Sequence, residues 1–104
     1  MTMIAFKMKL KPGAKEEYAK RHQALWPEVK ALLKARGVSN YSIFYDAETD
    51  ILFAVQEVEK TISAYNTAHE AILHTWWNYM ADIMDVNADN SPVIVNLEQV
   101  FHLD

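Results

Sequence analysis

Tyr18 and His22 stand four residues apart in the stretch Tyr-Ala-Lys-Arg-His-Gln-Ala-Leu-Trp-Pro-Glu that spans positions 18–28. On a helix that spacing stacks one side chain above the other on a single face. An imidazole titrates near neutral pH and can pass a proton in either direction, while a phenol beside it offers a ring to stack on and a hydroxyl to bond with. Such a pair suits a small polyhydroxylated molecule. The plainer reading of His22 is a partly buried histidine satisfied by a backbone group, and the pair alone does not choose between the two.

The remaining candidates lie further along. Trp76 and Trp77 are adjacent, so on a helix they diverge by about 100°, and either one can present a flat apolar face. Trp26 reads as core beside Pro27, and Tyr41 lies in a β-rich stretch. His69 and His74 are five apart, which misaligns them for joint ligation, and Glu70 with His74 gives only a two-ligand pair. No metal site is expected. His102 lies in the expected last strand, in a structural or interface position or at the rim of the site, and the Asn87–Pro92 loop caps the second helix or closes over a ligand.

The elements that must hold these residues follow from periodicity. Met3 to Leu10 alternates, with Ile4, Phe6, Met8 and Leu10 on one face, which predicts a strand. Pro12-Gly13 ends it. From Ala14 an apolar stripe through Tyr18, His22, Leu25/Trp26, Val29 and Leu32/Leu33 predicts a helix closing at Gly37, either kinked or divided at Pro27, with Pro27 then in the first turn of the second segment. Asn40–Tyr45 and Ile51–Val58 read as two antiparallel strands around the polar loop 46–50. Thr61 is a candidate cap for a second helix, interrupted near Thr67–His69, whose stripe runs through Ile72/Leu73, Trp76/Trp77, Met80 and Ile83/Met84. Val93–Leu103 reads as the last strand.

The order βαββαβ predicts an α+β fold of ferredoxin-like type: a four-stranded antiparallel sheet with the helices on one face, in a single domain spanning 1–104. Phe44 opposes Ile43 and Tyr45, and Phe53 and Val55 oppose Leu52 and Ala54, so both sheet faces carry apolar side chains. Pairing two sheets face to face as a dimeric α+β barrel buries the second one, which predicts a homodimer.

Composition narrows the classes. A net charge of −4 gives no basic footprint, so neither nucleic acid nor an anionic membrane surface is expected as a partner. There is no cysteine, hence no disulfide framework and no thiolate nucleophile. No run of eighteen apolar residues occurs, and the first residues lack a signal-peptide core. The expectation is a cytoplasmic protein.

Tyr18-x-x-x-His22-x-x-x-Trp26-Pro27-Glu28, then Asn40-Tyr41-Ser-Ile, then Trp76-Trp77-x-Tyr-Met80-Ala-Asp82-Ile-Met84, then Asn87-x-Asp-Asn-Ser-Pro92 and Val100-Phe101-His102-Leu103 follow one another along nearly the whole chain. In content, order and spacing these blocks closely resemble the L-rhamnose mutarotase family. The resemblance implies a dimeric α+β barrel, cytoplasmic and without a cofactor, that interconverts the α and β anomers of L-rhamnopyranose. It implies His22 as the proton-transferring catalytic residue and Tyr18, Tyr41, Trp76 and Trp77 as substrate-binding residues. The substrate would be L-rhamnose or a related 6-deoxy or pentose sugar. Thr75 departs from the pattern, since the family usually has a basic residue before the Trp pair, and this bears on substrate preference.

The chemistry agrees with those residue types. Anomer exchange opens the ring by removing a proton from the anomeric hydroxyl and delivering one to the ring oxygen, then reverses this on the other face. That is general acid–base catalysis, to which a positioned histidine contributes on the order of 10²–10⁴-fold. The second proton carrier is a tyrosine, a water or His22 acting in turn. Two alternatives remain from sequence: a cofactor-free or haem-related small monooxygenase on the same barrel, and a sugar-binding module without catalysis.

Overall fold

The computed structural model describes residues 2–59 and 67–104, with side chains from 71 onward in the second of these stretches. The element order is β1 (Thr2–Lys9), α1 (Lys15–Gln23), α2 (Pro27–Ala35), β2 (Val38–Asp46), β3 (Ile51–Val58), α3 (Thr67–Met80) and β4 (Val95–Leu97). The strands form one antiparallel sheet in the order β2-β3-β1-β4, the arrangement expected of a ferredoxin-like α+β fold.

Alternation decides which sheet face is covered. Phe6, Met8, Leu10, Leu52 and Ala54 point to one side and pack with Tyr18, Val29, Trp76, Met80, Ile83 and Met84 from the helical layer and its following turn. Among the described residues Leu10, Leu32 and Leu52 are the largest side chains buried completely. On the other side Met3, Phe44, Phe53, Val95 and Leu97 remain open, Phe44 at 64 % exposure. The apolar residues seen on both faces in the sequence are therefore present on both faces of the sheet.

Pro27 divides the first helical stretch. Trp26 is extended, with φ −61° and ψ 132°, as a residue before proline prefers, and Pro27 opens α2 where its missing N–H costs nothing. Of the two possibilities at this point, two segments form rather than one kinked helix. α2 ends at Gly37, whose φ of +78° lies in the left-handed region, and the chain turns directly into β2. The 46–50 loop closes on itself: the Asp46 carboxylate accepts from the Glu48 N–H at 3.0 Å and from the Thr49 hydroxyl at 2.9 Å.

Two expectations change. The last strand was expected over Val93–Leu103 and is only Val95–Leu97. The segment after α3 already occupies the C-terminal end of the β1 edge: the Asp85 N–H donates to the Lys9 carbonyl at 2.9 Å and the Lys11 N–H to the Ile83 carbonyl at 3.0 Å. Val93 is left to bond Asp85 instead. Beyond Leu97 the chain leaves the sheet, so His102 lies in an exposed tail, with its Nε2 2.8 Å from Asp104, and not in a strand. α3 runs without interruption from Thr67 to Met80, while the cap expected at Thr61 falls outside the described residues. No helix among the described residues is long and apolar enough to cross a membrane.

Candidate functional site

α1 carries Tyr18 and His22 on one face, and the fourfold spacing does what it predicts: the rings stack with centroids 4.2 Å apart and planes at 27°. α3 brings Trp76 edge-on to His22 at 5.5 Å and 85°. Tyr41 arrives from β2, where the register slips between Ser39 and Ser42. Ser39 pairs Glu57 and Ser42 pairs Val55, so Asn40 and Tyr41 together stand opposite the single Gln56, with Asn40 at φ +46°. Such a bulge re-aims a side chain, and here it leaves Tyr41 edge-on to Phe6 at 6.4 Å.

Tyr18, His22, Tyr41, Trp76 and Trp77 all line one cavity of about 600 Å³ between α1, α2, α3 and β2. The structure thus brings together all five residues singled out from sequence. Val29, Leu33, Ile43 and Leu73 supply an apolar wall, and Gln23, Asn40 and Asn90 supply polar groups, a mixture suited to a ligand with both C–H and hydroxyl faces. A second cavity of about 380 Å³ lies behind, bordered by Tyr18, His22, Tyr41 and Tyr45.

The two tryptophans are not equivalent. Trp76 is 7 % exposed and packs in the core against Trp26 at 5.0 Å, whereas Trp77 is half-buried and meets His74 edge-on at 4.8 Å. Trp26 stacks on Tyr79 and joins the core without lining the cavity, as the sequence suggested. Thr75 also stays outside: its hydroxyl turns back onto its own helix and donates to the Ala71 carbonyl at 3.0 Å. The departure at this position therefore does not reach the cavity wall.

His22 Nδ1 lies 3.0 Å from the Tyr18 carbonyl. A carbonyl only accepts, so Nδ1 holds the proton and Nε2 the lone pair. The plain reading of a histidine satisfied by a backbone group is correct for one nitrogen and leaves the other available. Burial pushes the imidazole below its ordinary value of 6.5, partly opposed by the Tyr18 carbonyl, so the ring is neutral at neutral pH. Burial raises both phenols, Tyr41 to about 12 and Tyr18 further, with the neighbouring Tyr41 adding to the effect on Tyr18. Both stay protonated hydrogen-bond donors. Among the described residues no three His, Asp or Glu side chains are placed to hold a metal ion.

Sequence reasoning missed Gln23 and Lys30 at this cavity and the role of Arg21 outside it. Lys30 lies one residue after Val29 on a helix whose apolar stripe drew the attention, whereas Asn90 and Pro92 at the cavity belong to the Asn87–Pro92 loop, which also reaches α3 through the Asn90 amide donating to Asn78 Oδ1 at 2.9 Å.

An α+β domain with a neutral histidine, two protonated phenols and an indole wall around one cavity has the groups that acid–base enzymes use on small hydroxylated molecules. The family model for L-rhamnose mutarotase matches residues 3–103. Over full length on both sides, the chain is 57 % identical to the L-rhamnose mutarotase of Bacteroides thetaiotaomicron and 53 % identical to that of Phocaeicola vulgatus. The crystal structure of L-rhamnose mutarotase from Formosa agariphila superimposes with a TM-score of 0.89 at 52 % identity, covering all of both chains. The chain belongs to the L-rhamnose mutarotase family. The monooxygenase and the non-catalytic module find no support among these relatives.

Proposed function

We propose that this isomerase interconverts the α and β anomers of L-rhamnopyranose with His22 as its acid–base group. The observation that carries the reading is the cavity of about 600 Å³ into which one fold gathers Tyr18, His22, Tyr41, Trp76 and Trp77. His22 Nε2 takes the proton of the anomeric hydroxyl as the bond between C1 and the ring oxygen breaks. The ring oxygen receives a hydrogen bond or proton from a phenol, for which Tyr18 and Tyr41 are the protonated donors at hand. The open-chain aldehyde turns about C1–C2, the former ring oxygen adds to the other face as its proton goes back to the phenol that supplied it, and His22 returns its proton to the new anomeric hydroxyl. Trp77 or Trp76 faces the C–H surface of the sugar, and the apolar wall accepts the C6 methyl. Saturation-transfer NMR tests this directly: the wild-type protein is expected to accelerate exchange between the anomeric protons of L-rhamnose, and an unaccelerated rate refutes the reading. Parallel runs with L-fucose, L-mannose and L-lyxose measure the preference.

The working unit in this reading is a homodimer in the cytoplasm that pairs the open sheet faces. Exposed Phe44, Phe53, Val95 and Leu97 on the sheet, and Val100, Phe101 and Leu103 in the tail, support a second copy as the cover. Light scattering on a size-exclusion column is expected to give twice the chain mass of 12.0 kDa; a monomer throughout the micromolar range contradicts it. The absence of cysteine fits a reducing compartment.

A further inference from the structure

α1 has to place His22 accurately against Trp76, yet little apolar packing holds it. It is nine residues long, too short for independent stability, and Tyr18 is its only buried residue. Apart from Tyr18, only the half-buried His22 meets another element through its ring, edge-on to Trp76, so few apolar contacts fix the roll of the helix about its axis. The residue before His22 supplies the missing restraint.

The Arg21 side chain is 10 % exposed, and each nitrogen of its guanidinium is used. Nε donates to Glu17 on the preceding turn at 2.7 Å, which aims the fork. Nη1 donates to the Tyr79 carbonyl at 2.7 Å and to Asp82 Oδ1 at 2.9 Å, and Nη2 reaches Asp82 Oδ2 at 3.3 Å. The Tyr79 carbonyl lies in the last turn of α3, where carbonyls lack an intrahelical partner and a cation is favoured by the helix dipole. The guanidinium also lies 4.4 Å from the centre of the Tyr79 ring. That ring touches Trp76 at 5.7 Å and stacks on Trp26 at 5.4 Å. The residue gripped by Arg21 is thus in contact with the indole that faces His22.

We propose that Arg21 is a positioning residue for the reaction: by holding the Tyr79 carbonyl and the Asp82 carboxylate it sets the roll of α1, and with it the place of His22 against Trp76. It touches neither cavity and transfers no proton. The proposal rests on the mutarotase reading for its kinetic consequence and on geometry alone for its structural one.

A displacement of about 1 Å at a reacting group can cost on the order of 10²-fold in rate. Arg21→Gln is expected to lower the exchange rate at saturating L-rhamnose by about 10- to 100-fold with KM changed less than about threefold, since the binding wall remains. Arg21→Lys, which keeps one charged donor, is expected to recover part of the loss, and Asp82→Asn, which keeps one acceptor oxygen, to lose about three- to tenfold. In NMR spectra the His22 ring protons, now edge-on to Trp76, are expected to shift in Arg21→Gln and Asp82→Asn. Unchanged His22 shifts and unchanged saturated rates in folded variants overturn the proposal, as does a rate loss that merely follows the folded fraction in a thermal melt. Should Arg21→Gln fail to fold, Asp82→Asn decides, because the Asp82 side chain is 68 % exposed. Should the wild type fail to accelerate exchange, the mutarotase reading falls, and the His22 shifts alone judge the clamp.

Discussion

Replacing His22 with alanine is expected to reduce the acceleration of anomer exchange by about 10²–10⁴-fold, the usual share of a positioned acid–base group, while leaving the fold in place. The side chain is only half-buried and its one hydrogen bond goes to the Tyr18 carbonyl in the same helix, so removing it breaks no hydrogen bond between elements and gives up only the edge contact with Trp76. Exchange between anomeric resonances gives the rate, and circular dichroism with a thermal melt confirms the fold. A rate in His22→Ala within about threefold of wild type excludes His22 as the proton carrier. His22→Gln is the sharper companion, since an amide keeps a polar group there but cannot titrate.

The same group sets the pH dependence. Because burial holds the imidazole below 6.5, the base form prevails through neutral pH, and the rate is expected to be flat there and to fall only on the acid side. Stability moves in the same direction. Between the folded value and the unfolded value of about 6.5 the unfolded chain binds more protons, so stability rises with pH across that window. The His22 contribution is complete above about 6.5 and disappears as the pH falls through the window. His22→Gln should flatten both profiles.

The second large effect belongs to Trp76. Trp76→Ala is expected to destabilise the protein by about 3–5 kcal/mol, the range for a buried Trp reduced to alanine, because it empties space shared with Trp26, Tyr79 and His22. It should also raise KM and lower the saturated rate, since the edge against His22 goes with it. Trp77→Ala removes a half-buried ring and is expected to raise KM with a smaller loss of stability. Denaturant titration separates the two. Equal destabilisation by both substitutions would show that their different burial does not govern their roles.

Much of this protein is present in the amino-acid order alone. Alternation in β1 and β3, the helical stripe from Tyr18 to Leu33 and the aromatic stripe on α3 are local regularities, and each survives in the structure because the core face needs them. Pro27 marked in advance a kink or a boundary by the geometry that proline imposes on its neighbour, and the structure makes it a boundary. The fourfold step from Tyr18 to His22 determined a stacked pair before any tertiary contact was known.

What local pattern could not determine was competition between distant segments. β4 begins only at Val95 because Ile83–Asp85 had already taken the end of the β1 edge that Val93 would have paired with, a choice made between segments that are both β-compatible. Trp76 and Trp77 read as equals in sequence, and only the position of α1 and Trp26 made one of them core. Arg21 looked like one basic residue among several on a polar helix. Its partners lie about 60 positions further along the chain, and a charged side chain advertises no periodicity by which a distant carboxylate could be matched to it. Tertiary packing alone placed the Tyr79 carbonyl and Asp82 under its guanidinium.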